Sequence, residues 1–426
     1  MKKTFFTALL ALSFVSITLI SCSQDDSCVE EPGLQEPISK KSHYVSLEEA
    51  RANLLDILRD FNSEADSRGS FVGTKIISEA FTVNLSETES RAADSTLIHV
   101  FNFANNQGFA IMSTDDRLPD LIALAESGTF SDIDGSDDSG DPDRSGLHLI
   151  IPEVELFLRE RIDEADPKSW AHVEYRPWKS FIYNRNKRCV VKWGQDFPYN
   201  DLCPISPNGF STKTGCVATA LAQLMSVYKY PKSYNGYNFP WDEMVEYPNV
   251  QLCSSDAVNA TARLMELLGR SNNLDVEYGE NSSSAYISKI PRTLENFGYT
   301  YTGTVDDYST EDVVYDLKYG FPVIISALNK MTYKGHAWLG HGLILRTREI
   351  EHVDATGAVT SQETQNEWYI QCNWGNKGSG DGYYLSGIFD MGKKPKYDDD
   401  GKLNSDTIGG PRKKYAEMMA ITGIER

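Results

Sequence analysis

The stretch TGCVATALAQLM, Thr214 to Met225, constrains this 426-residue chain more than any other. Ala218, Ala220 and Ala222 permit close packing, and Leu221, Leu224 and Met225 recur at helical spacing, so the pattern predicts an amphipathic helix opening at Cys216. A helix opening directs unpaired backbone amides at that residue and favours a thiolate. Cys216 is thereby a candidate nucleophile, although a buried structural cysteine is the commoner case.

A cysteine nucleophile needs a base close in space and a group that orients the base. The chain has seven histidines. His43, His99, His148 and His172 precede a basic stretch that reads as a linker, and His352 falls in a polar hairpin segment. His336 and His341, in GHAWLGHG, remain. Five positions apart on a strand, they point to opposite faces, so only one of them can face Cys216. Gly335 permits close backbone approach at the strand entrance, as a cleft requires. Asn373, in QCNWGNKG, could accept the imidazole proton and fix its tautomer, with Trp374 as a shield; a plain turn role beside Gly375 is the alternative. Gln195 could supply an amide to a developing oxyanion beside the backbone N–H of Cys216, or be an ordinary exposed loop residue. The order Gln, Cys, His, Asn is that of a papain-like cysteine peptidase.

The rest of the chain bounds the setting. Lys2 and Lys3 precede an apolar run from Phe5 to Ile20, which predicts a secretory signal. Leu19-Ile20-Ser21-Cys22 resembles a bacterial lipobox with Cys22 as the lipidated residue, and SQDDSCVEEPGLQEP after it reads as an acidic tether of the kind that resembles surface-export signals. A formal net charge of -20 argues against nucleic acid as a partner. Setting aside Cys22 and a free Cys216, five cysteines remain, so no complete disulfide framework is expected; none of the spacings forms a CxxC zinc element, and no cofactor is implied.

In chain order, Val45 to Phe61 reads as a helix capped by Ser46. Thr96 to Ser113 reads as two strands around a turn, Ser131 to Gly146 as a solvated acidic loop in preference to a calcium loop, and Leu147 to Ile162 as a helix. Lys168 to Lys192, with Arg176, Lys179, Arg185, Lys187 and Arg188, reads as a linker with exposed bonds for a processing protease. Beyond it come helices at Ser255 to Leu268, Ile287 to Phe297 and Thr310 to Tyr319. Strands follow at Pro322 to Leu328, Ala337 to Leu345, Glu367 to Cys372 and Gly382 to Leu385. Helices first and sheet afterwards make an α+β arrangement.

The blocks WGQDFPYNDLCP, TGCVATALAQLMSVYKYP, GHAWLGHG and CNWGNKGSGDGYY resemble those of the streptopain family of bacterial cysteine peptidases, and VFNFANNQGFAIMSTDDRLPDLIALAESGTF resembles that family's propeptide. The resemblance implies an α+β, papain-like catalytic domain behind a small α+β prodomain: a signal peptide at 1–21, a tether at 22–43, a propeptide at 44–167, an activation linker at 168–190 and the peptidase at 191–426. It implies Cys216 as nucleophile, His336 as proton acceptor and donor, Gln195 as oxyanion donor, Asn373 and Trp374 as support, and Gly335 in the substrate cleft. ENSSSAYISK, from Glu280, resembles a substrate-pocket loop, which nominates Ser282, Ser283 and Ser284. Two positions depart from the family, His341 where aspartate is common and Asn376 where an aromatic residue is common, and both bear on specificity.

The expectation is therefore an exported, lipid-anchored cysteine endopeptidase made as a zymogen. Its partners would be protein or peptide substrates and its own propeptide as inhibitor. The membrane enters only through the anchor, on the outer membrane with exposure at the cell surface, or with release after maturation. A transglutaminase-like acyltransferase and a silent surface-binding or inhibitory lipoprotein are the alternatives.

Overall fold

Local sequence accounts for where the helices start and stop. Helix α1 (Leu47–Ser63) opens on a capping box, in which Ser46 Oγ accepts from the Glu49 N–H (3.3 Å) and the Glu49 carboxylate accepts from the Ser46 N–H (2.8 Å). Helix α2 (Cys216–Tyr228) follows Gly215, whose φ of +87° suits glycine and strains other residues. Ser254 caps α3 (Ser255–Gly269), Pro291 opens α4 (Ile290–Asn296), and α5 (Thr310–Tyr319) runs from a Ser309 cap to a left-handed Gly320. A serine cap of this kind contributes about 1 kcal/mol.

The computed structural model describes residues 43–63, 73–85, 97–132, 173–183, 189–303, 305–329, 334–354, 356–390 and 416–426, with six single positions between 151 and 161. The expected signal peptide, Cys22 and the tether up to residue 42 lie outside the described residues, as do most of the acidic loop and Lys168, Arg185, Lys187 and Arg188. The six positions between 151 and 161 are helical, as expected.

Among the described residues twelve strands form one sheet: β1 (Ile77–Asn84), β2 (Leu97–Phe103), β3 (Phe109–Ser113), β4 (Leu121–Ala125), β5 (Val173–Tyr175), β6 (Lys179–Tyr183), β7 (Val305–Asp307), β8 (Val323–Asn329), β9 (Gly335–Val353), β10 (Val359–Asn373), β11 (Gly382–Leu385) and β12 (Ala416–Ile421). Their order is β1-β2-β3-β4-β11-β10-β9-β8-β12-β7, with β5 and β6 both pairing with β9. Successive residues of a strand face opposite sides, so the central strands feed two cores. Ala337 and Leu339 join the core of α2, α3 and α4, and Trp338 between them joins the core shared with α1 and β1–β4.

Two features go beyond the sequence reading. The described residues from 43 to 426 form one compact unit, because β4 adds to the peptidase sheet through Gly382↔Ala125, Tyr383↔Leu124 and Tyr384↔Ala123. The linker joins the same sheet. Its described part pairs with β9, its Arg176 side chain meets Glu351 at 2.5 Å, and Trp178 covers the guanidinium of Arg346, which forms a buried ion pair with Glu367 (3.1 Å). The basic residues there serve pairing as well as charge.

Gly382 sets how closely β4 can approach. An added Cβ would run into the Leu124 carbonyl oxygen and come within 2.6 Å of Ala125 Cα. Gly382→Ala is expected to loosen the β4–β11 seam, a strain of about 1–3 kcal/mol. Hydrogen exchange should then quicken in residues 121–125 and 382–385 and stay unchanged in α3; equal exchange in all three would refute a role for Gly382 in the seam.

Candidate active site

Cys216 is the first residue of α2, half-buried at the helix opening. The backbone that delivers it is braced from two sides. Thr214 N–H donates to the Gln195 carbonyl (3.1 Å), and the Lys213 carbonyl accepts from Ser283 Oγ (2.7 Å). Lys213 also pairs with Asp196, next to Gln195. Three other described cysteines, Cys189, Cys203 and Cys372, are less suited to attack. Burial pushes the thiols of Cys189 and Cys203 up to about 12 and that of Cys372 upward as well, which disfavours their thiolates.

Gln195 is 5% exposed, not the exposed loop residue of the alternative reading, and its Oε1 is buried without a hydrogen-bond partner among the described residues. A buried carboxamide is costly when unbonded. This one stands one backbone hydrogen bond away from the turn that carries Cys216.

His336 is the second residue of β9 and is also buried. Its Nε2 lies 2.8 Å from the main-chain carbonyl of Trp374. A carbonyl only accepts, so Nε2 carries the proton and the neutral ring keeps its lone pair on Nδ1. The ring stacks against Trp374 (centroids 6.3 Å apart) and Trp338 (6.2 Å). Trp374 is itself fixed: its indole N–H donates to Gly380 O (3.1 Å) and its backbone N–H to Asp381 Oδ1 (2.9 Å).

Asn373 is placed differently from expectation. Its Oδ1 accepts from Gln223 Nε2 (2.8 Å) and from Gly375 N–H (3.1 Å), and its Nδ2 donates to Val191 O (2.7 Å). The residue pairs with Leu339, three positions beyond His336 along β9, so its side chain serves the scaffold and the next residue's carbonyl holds the imidazole. Ser283 is buried, its hydroxyl accepting from Gly279 N–H (3.0 Å) besides donating to Lys213 O, so the side chain serves the turn before Cys216. Ser282 and Ser284 are exposed, and so is Gly335, with Leu328 of β8 paired opposite it. His341 sits at a bulge in the β9–β10 register, and its Nδ1 accepts from Cys189 N–H (3.2 Å).

Residues 193–384 match the Peptidase C10 family, and residues 45–139 match the Spi protease inhibitor family. Residues 193–384 belong to the streptopain-like Peptidase C10 family. The chain is a cysteine peptidase that carries an inhibitory propeptide. It is 25% identical over 331 residues to streptopain of Streptococcus pyogenes, covering 67% of this chain and 73% of streptopain. It is 30% identical over 161 residues to the thiol protease/hemagglutinin PrtT of Porphyromonas gingivalis, covering 35% of this chain and only 17% of PrtT. Among solved structures, a prointerpain A fragment of Prevotella intermedia aligns with a TM-score of 0.49 and 21% identity, over 80% of this chain and 98% of that one. In the peptidase part the helix that opens at Cys216 comes first and the antiparallel sheet afterwards, the α+β order expected.

Asp381 was not among the expected site residues, and the only sequence sign of it is an acidic residue in a glycine-rich turn. It joins the peptidase to the propeptide: its side chain holds Trp374, and its carbonyl accepts from Glu126 N–H (2.7 Å). Burial pushes its carboxyl up to about 7, with Glu126 adding to the rise and the Trp374 N–H and Lys192 opposing it. The folded protein therefore binds this proton more tightly than the unfolded chain, so the group's stability contribution is largest at low pH and is lost between about pH 4 and pH 7. In a Cys216→Ala background, Asp381→Asn should gain stability over its parent by on the order of 3 kcal/mol as pH rises across that window. Urea denaturation at a series of pH values checks this; a pH-independent difference would exclude Asp381 as the titrating group.

Proposed function

We propose that Cys216, His336 and Gln195 hydrolyse peptide bonds, with the Trp374 carbonyl orienting His336. The observation that carries this reading is the Trp374 O to His336 Nε2 contact of 2.8 Å, which leaves Nδ1 as the basic atom. The partial positive charge at the opening of α2 favours the negative charge of a Cys216 thiolate. His336 Nδ1 takes the proton of the Cys216 thiol, the sulfur anion attacks the scissile carbonyl carbon, and the oxyanion that forms is held by the Cys216 backbone N–H and the Gln195 side-chain N–H. The imidazolium gives its proton to the leaving amine, the C–N bond breaks, and a thioester remains. His336 then takes a proton from water, the hydroxide attacks the thioester, and the acid product and the Cys216 sulfur are released.

In this reading Gly335, Ser282 and Ser284 line the cleft that receives the substrate chain. The propeptide at 44–167 keeps the enzyme latent until the linker at 168–190 is cut; separation then requires β4 to leave β11 and any linker strand left with the propeptide to leave β9. The signal-like residues 1–21 and Cys22 support export and attachment to the outer membrane through lipid on Cys22, with protein or peptide substrates outside the cell.

The full chain carrying Cys216→Ala should fold like its parent but lose self-processing and peptide hydrolysis by on the order of 10⁴-fold or more. Retained hydrolysis by that variant would end the reading. Cys22→Ala is expected to abolish incorporation of labelled fatty acid and to move the protein from the membrane to the soluble fraction of cells; undiminished labelling would remove the anchor.

A further inference from the structure

Gln223 lies seven residues after Cys216 on α2, which is two helical turns or about 10 Å along the axis and nearly the same face. It is fully buried among Ala220, Leu221, Ala222, Leu224 and Met225. A glutamine in such surroundings is destabilising unless its amide is well used. Its Nε2 donates to Asn373 Oδ1 (2.8 Å) and to the Trp193 carbonyl (3.3 Å). The orientation of the amide is unambiguous, because Trp193 O can only accept and Asn373 Oδ1 already accepts from Gly375 N–H. Its Oε1 is buried and has no hydrogen-bond partner among the described residues. Such an atom makes the residue a poor choice for stability alone.

The two acceptors belong to the two segments that complete the site. Trp193 is two residues before Gln195. Asn373 directly precedes Trp374, whose carbonyl holds His336. One NH₂ group thus ties the nucleophile helix, the segment of the oxyanion donor and the bracket of the base to each other.

We propose that Gln223 is a positioning residue that sets Cys216, Gln195 and the Trp374–His336 pair in mutual register. The proposal rests on the catalytic roles assigned above to Cys216, His336 and Gln195. Two apolar contacts of similar shape could fill the same space, but they would leave the three segments free to slide by a fraction of an ångström. Displacements of that order lower the rate of the chemical step while leaving substrate binding nearly unchanged.

The test uses the full chain after maturation, with active sites counted by titration with an irreversible thiol reagent. Gln223→Met keeps the length and removes both hydrogen bonds. It should lower kcat per titrated site by roughly 10- to 100-fold with KM within about twofold. The pH profile of Cys216 alkylation by iodoacetamide should move to higher pH, because the thiol loses its paired imidazolium. Gln223→Glu is the second variant. Its carboxylate cannot donate to Asn373 or Trp193 and its protonated form can, so its activity relative to the parent should fall as pH rises, a limb the parent lacks. Parent-like kcat per site and an unshifted alkylation profile in Gln223→Met would overturn the proposal, whatever the melting temperature. So would a parent-like pH profile in Gln223→Glu, or failure of both variants to fold, which would assign the residue to the scaffold alone. Loss of hydrolysis in Cys216→Ala beside a normal Gln223→Met would defeat this inference only; an active Cys216→Ala would defeat the catalytic reading beneath it.

Discussion

The site depends on the closure of one long hairpin. His336 stands at the start of β9 and Asn373 at the end of β10, and the antiparallel ladder from Leu339↔Asn373 to Val353↔Val359 returns the chain to where it began. Residues 38 apart in sequence then meet with no dedicated contact, and the Trp374 carbonyl arrives at the imidazole as a product of register. Near the site, where the strands are buried on both faces, a slip of one residue would exchange the two cores, Trp338 for Ala337 and Leu339, so the register is strongly held there. The geometry of the base is thus as stable as the sheet itself.

What could be read from the chain follows from the kind of signal each residue emits. Cys216 and His336 stood out because few side chains can do their chemistry, and the helix around Cys216 has a period its alanines and leucines make plain. Helix α5 and strand β11 fall on the bounds expected of them, each marked by a cap or a glycine. The carbonyl proposed to orient His336 did not stand out, since a main-chain carbonyl has no letter of its own; the neighbouring Asn373 had a suitable side chain and drew the expectation. Strand β1 went unread because it is half-exposed with no clean alternation, and β4, LIALA, because five apolar residues in a row suit a buried strand and a helix alike. The linker was legible as a reversal of charge, but the pairing of its strands with β9 is a tertiary choice that local sequence leaves open.

The propeptide uses the sheet as its means of attachment. Between β4 and β11 the contact is backbone to backbone, and it continues past the strand ends, where Glu126 N–H meets Asp381 O and Gly380 N–H meets Ser127 O (3.2 Å). Those two peptidase residues also bind Trp374, through its backbone N–H and its indole. Inhibitory segment and catalytic bracket therefore share a loop of nine residues, 373–381, so a change in one is felt by the other at a distance of a single hydrogen bond.

The seam has a consequence for the enzyme once it is free. When β4 leaves, β11 becomes a sheet edge with unpaired amides and carbonyls, the feature that lets soluble proteins add foreign strands and aggregate. Here the exposed edge is only Gly382–Leu385, four residues long, and its first residue is a glycine. A strand so short offers a poor template to another chain. The same brevity that lets the propeptide come away also protects the freed peptidase from being capped at that edge by the chains it cuts.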